Sequence, residues 1–199
     1  MKKESRMIKK RDKIHHNILQ VASKIISEKG SGGITFEALS LEADVARKTI
    51  YNHFENKSVL LDELIYPICD HAKKYLAEKS EEKQVGLDDI WSYCIVLWHD
   101  SSLNADLLYQ ITEKDYPQIH DIKKGFIILF EKLLMRIDGF KTLDSEDISV
   151  LADIIYTTYL PFLQSVGGLP SFESTFKAGM NGLVYGVYNQ MLKSDKYED

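Results

Sequence analysis

Residues 35–61 read TFEALSLEADVARKTIYNHFENKSVLL, and this stretch decides the fold. Thr35 carries a hydroxyl suited to cap a helix, because it can accept an orphan backbone N–H. A short helix is expected from Phe36 to Ala43, a break at Asp44–Val45, and a second short helix from Arg47 to Phe54. After the turn at Glu55–Asn56, a longer helix starts at Lys57 or Ser58. Leu39, Ala43, Val45, Ile50 and Phe54 supply apolar contacts between the short helices, and Ser40 and Ala43 are small enough for two backbones to approach. Arg47, Lys48, Thr49, Tyr51, Asn52 and His53 lie on or near the second helix and offer hydrogen-bond donors to phosphates and base edges. Upstream, Ile14, Ile18, Val21, Ala22, Ile25 and Ile26 recur on one helical face that Gly30 terminates. Three helices with a tight turn before the last make a helix-turn-helix unit, whose final helix enters the major groove of DNA.

The charge distribution points the same way. Residues 1–60 hold 12 Lys+Arg against 7 Asp+Glu, a balance of +5, in a chain whose net charge is -5. A basic first third on an acidic body implies a polyanionic partner for that third alone. The opening residues 1–13 are polar and basic and read as an arm or a frayed first turn. Its Lys9, Lys10, Arg11 and Lys13 either touch DNA or are idle.

Beyond residue 60 the chain reads as helix throughout. The expected pieces are Leu87–His99, Leu103–Thr112, Ile119–Ile137 stopped by Gly139, Asp144–Gln164 with Pro161 bending its end, and Phe172–Leu192. No stretch alternates with period two. The fold class is therefore all-α, with about nine helices in two domains, a DNA-binding domain at 1–57 and a larger helical domain at 58–199. With 44% hydrophobic and 28% charged residues the chain is long enough to bury a core. No apolar window is long enough for a membrane span, and no secretory signal is visible. Cys69 and Cys94 lack metal, redox or disulfide spacing, so a reducing, cytoplasmic setting is expected.

The segment from Thr35 to Leu61 resembles the signature of the TetR family of transcriptional regulators. The family pattern ends its recognition helix in Y-x-H-F followed by x-x-K, which Tyr51, His53, Phe54 and Lys57 match at the right spacing. Thr35, Ala43 and Val45 match upstream. The resemblance implies that Thr35, Tyr51, His53 and Lys57 contact the DNA backbone, while Arg47, Lys48, Thr49 and Asn52 face bases or flanking phosphates. It further implies a bacterial homodimeric repressor that binds a palindromic operator and is released by a small-molecule effector. Two positions depart from the pattern. Asp44 stands where the family has Gly, at a cost of about 1 kcal/mol for positive φ. Ala46 stands where it has a Ser N-cap, a loss of roughly 0.5–2 kcal/mol that Asp44 is expected to make good in part.

In the larger domain, Trp91, Cys94 and Trp98 share a stripe with Ile95. With Tyr109, Phe126, Phe130, Tyr156 and Tyr159 they are candidates to wall an effector pocket, or else ordinary core. His99 and His120 are candidates to orient a ligand. Gly179, Gly182 and Gly186 recur along the last helix and suggest close backbone approach, either between subunits or within one. No HExxH, GxSxG, phosphate-binding loop or metal-spaced Cys/His cluster is present, so neither an enzyme nor a metal or cofactor is expected. The alternative from another class is a co-regulator of the same fold that binds a protein partner rather than DNA.

Overall fold

The computed structural model describes residues 2–82, 85–100 and 106–194. Among them are nine α-helices and no strand: α1 (Lys2–Lys29), α2 (Phe36–Glu42), α3 (Arg47–His53), α4 (Lys57–Glu81), α5 (Leu87–His99), α6 (Leu107–Gln110), α7 (Ile119–Leu134), α8 (Ser145–Val166) and α9 (Phe172–Ser194). No helix among the described residues is long and apolar enough to cross a membrane.

The chain divides into two compact units, Met1–Ile68 with Asn104–His120, and Cys69–Leu103 with Asp121–Asp199. The boundary thus falls inside α4, eleven residues beyond the one drawn from sequence at 57, because the motif's end is not the end of its packing. In the first unit, Ile18, Ala22, Ile25 and Ile26 of α1 are buried with Leu39, Ile50, Phe54 and Leu60. Leu107, Leu108 and Ile111, from the segment around α6, are buried in the same unit. Gly30 ends α1 at φ 71°, a left-handed conformation that glycine adopts without a Cβ penalty.

The second unit is centred on α5, α8 and α9. Trp91 is fully buried and donates from Nε1 to Asn181 Oδ1 at 2.7 Å. Its ring meets Phe176 edge-on. Asp144 caps α8 by accepting from the backbone N–H groups of Glu146 and Asp147, each at 2.8 Å.

Four expectations are corrected. The stretch 1–13 is not an arm: α1 begins at Lys2, in a run free of Gly and Pro and rich in Lys, Glu and Arg, which cost little in a helix. The piece expected over Leu103–Thr112 is helical from Leu107 to Gln110, while Leu103 lies outside the described residues. Helix α7 ends at Leu134, not Ile137. There the bonds Arg136 N→Leu133 O and Ile137 N→Leu134 O tighten the chain, and Asp138–Phe140 forms a 3-10 turn that buries Phe140. Helix α8 runs on past Pro161 to Val166.

Candidate nucleic-acid interface

The turn between α2 and α3 is held at both ends. Thr35 is the N-cap of α2, its Oγ1 accepting from Ala38 N at 3.0 Å. Asp44 adopts φ 51°, the left-handed conformation expected at the position where the family places Gly. Ser40 Oγ donates to Val45 O at 2.6 Å, and Asn17 Nδ2 donates to Ala43 O at 3.0 Å, so the turn is tied to both α2 and α1. Ala46 is the N-cap of α3 and no side chain caps it, so Asp44 does not replace the missing hydroxyl. Ala46→Ser therefore restores a cap: we expect a gain of about 1 kcal/mol, seen as a rise of roughly 2–4 °C in the thermal midpoint.

Helix α3 is pinned by Ile50 and, just past its end, Phe54, both fully buried. Arg47, Lys48, Tyr51 and Asn52 are exposed, and Thr49 and His53 are partly so. Tyr51 is no core residue: it is 50% exposed, leans edge-on against Phe36, and has the Arg47 guanidinium 5.9 Å from its ring centroid. The same unit brings Lys10, Arg11 and Ile14 of α1 together with Thr49, Asn52 and His53 of α3 around one concavity. The basic residues near the N-terminus thus extend the polar face of the recognition helix.

His53 has neighbours that the sequence motif does not show. Its Nδ1 lies 3.3 Å from Nδ1 of His15, whose Nε2 pairs with Glu63 Oε2 at 2.6 Å. His15 also stacks on Phe54. Burial, then the nearby His15 and Arg11, push the His53 pKa below its usual value, against the pull of Glu63. The shift favours the neutral, hydrogen-bonding form of the ring over the cation.

Lys57 is engaged within its own unit. Its Nζ donates to Ser31 O at 2.8 Å and to Asp115 Oδ1 at 2.9 Å. Asp115 accepts also from Ser31 Oγ at 2.9 Å and Thr112 Oγ1 at 3.0 Å. The Lys57 ammonium, and then these hydroxyls, hold the Asp115 carboxyl at about 2.

In the second unit the expected wall residues disperse. Trp91, Cys94, Phe130 and Tyr159 are fully buried, with Phe130 and Tyr159 edge to face, and burial raises the Cys94 thiol and the Tyr156 hydroxyl. Trp98 packs beside Gly167, His99 lies edge-on to Phe172, and Tyr109 belongs to the other unit, as does His120, whose Nδ1 pairs with Glu113. Phe126 lines a groove of about 290 Å³ between α4 and α7. Cys69, Ala72, Gly125 and Leu129 line it too, with Lys73 and Lys132 as its cations and Asp121 as its anion. Gly179 faces Phe162 of α8, whose ring atoms stand 2.4 Å from where a Cβ would be, so it serves packing within the chain. A Cβ on Gly182 or Gly186 meets nothing within 4 Å.

The family model described as "Bacterial regulatory proteins, tetR family" matches residues 18–64. No curated protein sequence matches the chain. Among solved structures, a transcriptional regulator of the TerR/AcrR family from Aquifex aeolicus VF5 is 19% identical, with a TM-score of 0.59, covering 85% of this chain and 99% of that one. NalD, the secondary repressor of the MexAB-OprM multidrug efflux pump in Pseudomonas aeruginosa, is 16% identical at TM-score 0.59 and covers 90% and 97%. AibR, solved with isovaleryl coenzyme A and operator DNA, is 16% identical at TM-score 0.62 and covers 85% and 97%. The family's DNA-binding module thus matches residues 18–64, and the chain shares the all-helical fold of these solved regulators over most of its length.

Proposed function

We propose that the protein is a cytoplasmic, homodimeric repressor that binds a palindromic operator and leaves it when a small-molecule effector occupies the second unit. The observation that carries the DNA reading is the concave surface where Lys10 and Arg11 join Thr49, Asn52 and His53, beside the exposed Arg47, Lys48 and Tyr51. Arg47 and Lys48 suit guanine, Asn52 suits adenine, and the α1 cations suit phosphate. Thr35 adds a hydroxyl next to this face, although its Oγ1 already caps α2. The repressor role draws support from NalD, and the pairing of operator with effector from AibR.

The groove between α4 and α7 supports an effector that is apolar with an anionic end. Its lining is mostly Ala, Leu, Ile and Phe, and two lysines stand against one aspartate. Release requires the effector to prefer a conformer that binds DNA poorly.

The test is a mobility shift on the DNA upstream of the protein's own gene, over a salt series, with and without decanoate as a simple apolar anion. Salt-sensitive binding that weakens with decanoate is expected, and Gly125→Leu, which fills the groove, should abolish the decanoate effect while leaving DNA binding intact. Binding indifferent to every apolar anion would remove this effector class. Absence of binding to that DNA and to a wider fragment pool would instead favour a co-regulator that acts on a protein.

A further inference from the structure

Within the family motif, Lys57 is the lysine expected on operator phosphate, yet here its ammonium is already spoken for. It donates to Ser31 O and to the Asp115 carboxylate, and the pair is only partly open to water, with side-chain exposures of 26% and 21%. The carboxylate is itself fixed. Ser31, fully buried, donates from its hydroxyl to Asp115 Oδ2, and that same hydroxyl accepts from Thr112 N at 3.1 Å. Thr112 Oγ1 donates to Asp115 Oδ2, and Asp115 N donates to Thr112 O. Asp115 therefore sits in a turn that is closed on itself and bound to the segment after α1. A cation with a fixed, partly desolvated carboxylate at 2.9 Å must give up that partner before it can meet a phosphate.

We propose that Asp115 withholds Lys57 from the operator, so that the lysine is a latent DNA contact and the Lys57–Asp115 pair is an internal competitor of DNA phosphate. Breaking the pair frees one cation at the start of α4, next to the recognition helix, while the 112–115 turn keeps its bonds to Ser31 in the segment after α1. Any signal that shifts this turn then alters DNA affinity by one phosphate contact.

The inference rests on the DNA-binding reading, and the salt dependence of binding tests the two separately. Each phosphate contact contributes about 0.9 to the slope of log affinity against log salt. Asp115→Asn keeps the shape and most hydrogen bonds of the turn but removes the charge. It should steepen the slope by about 0.9 and tighten binding about three- to tenfold at moderate salt. Lys57→Met added to Asp115→Asn should erase both gains. A slope in Asp115→Asn equal to that of the unmodified protein would overturn the proposal. So would a loss of about 0.9 on Lys57→Met alone, which shows the lysine already on phosphate; this second arm stands even if Asp115→Asn fails to fold. If no variant binds duplex DNA at any salt, the DNA-binding reading has failed and this inference falls with it.

Discussion

Replacing Arg47 and Asn52 together with alanine is expected to weaken operator binding at least about 100-fold at fixed salt, since each good base contact contributes about 1–3 kcal/mol. Both side chains are exposed on α3, so little of the fold depends on them. The recognition helix is held by Ile50 and Phe54, which the substitution leaves in place. What Arg47 does give the free protein is its position 5.9 Å from the Tyr51 ring centroid, an exposed cation–π contact of about 0.5–1 kcal/mol. Circular dichroism should therefore be unchanged and the thermal midpoint should move by a degree or two at most. The loss should be larger on the operator than on random duplex, because Lys10, Arg11 and Lys48 still supply charge for unspecific binding. A change of less than threefold on the operator would remove base reading from α3 and leave DNA contact to the backbone-facing residues.

The motif in 35–61 was legible because its signals are local. A cap, a left-handed turn and two buried anchors fall within some twenty residues, and Thr35, Asp44, Ile50 and Phe54 take the places expected of them. What escaped sequence reading is carried by distant partners. Asp115 lies 58 positions from Lys57, and His15 lies 38 positions from His53, so neither pair has any periodicity to reveal it. The groove in the second unit escaped for a different reason. Sorting by aromatic content selects the residues that fill space, and Trp91, Phe130 and Tyr159 are indeed buried in the core. The groove forms where volume is missing, at Ala72, Gly125 and Cys69, and small side chains give no distinctive pattern. The glycines of α9 divide likewise. Spacing groups Gly179 with Gly182 and Gly186, whereas the Phe162 ring separates the first, which packs inside the chain, from the other two, which are open.

That division yields a prediction that separates assembly from folding. Along α8, the exposed Val150, Thr157 and Pro161 and the half-exposed Ile154 recur with helical spacing, and along α9 so do Gly182, Leu183 and Gly186. These exposed small and apolar positions would let a second copy approach closely, as the proposed homodimer requires. Arginine at both Gly182 and Gly186 should convert a dimer of twice 22.9 kDa into a monomer in sedimentation analysis. The isolated chain has no reason to suffer. A Cβ at either position meets nothing within 4 Å, and removing a glycine from a helix interior is favourable by about 1 kcal/mol each. The double variant should thus melt no lower than the unmodified chain examined at a concentration where it is monomeric. Operator affinity should nonetheless fall by about 10²–10⁴, because two recognition helices no longer arrive as one bivalent unit. The same variant should bind a single half-site duplex with undiminished affinity, since α3 and its supports lie in the first unit, while α9 lies in the second. If the variant remains a dimer, the α8–α9 face is not the interface. If it is monomeric and still binds the full operator as tightly, dimerisation is not what sets affinity, and the single basic concavity between α1 and α3 must account for all of it.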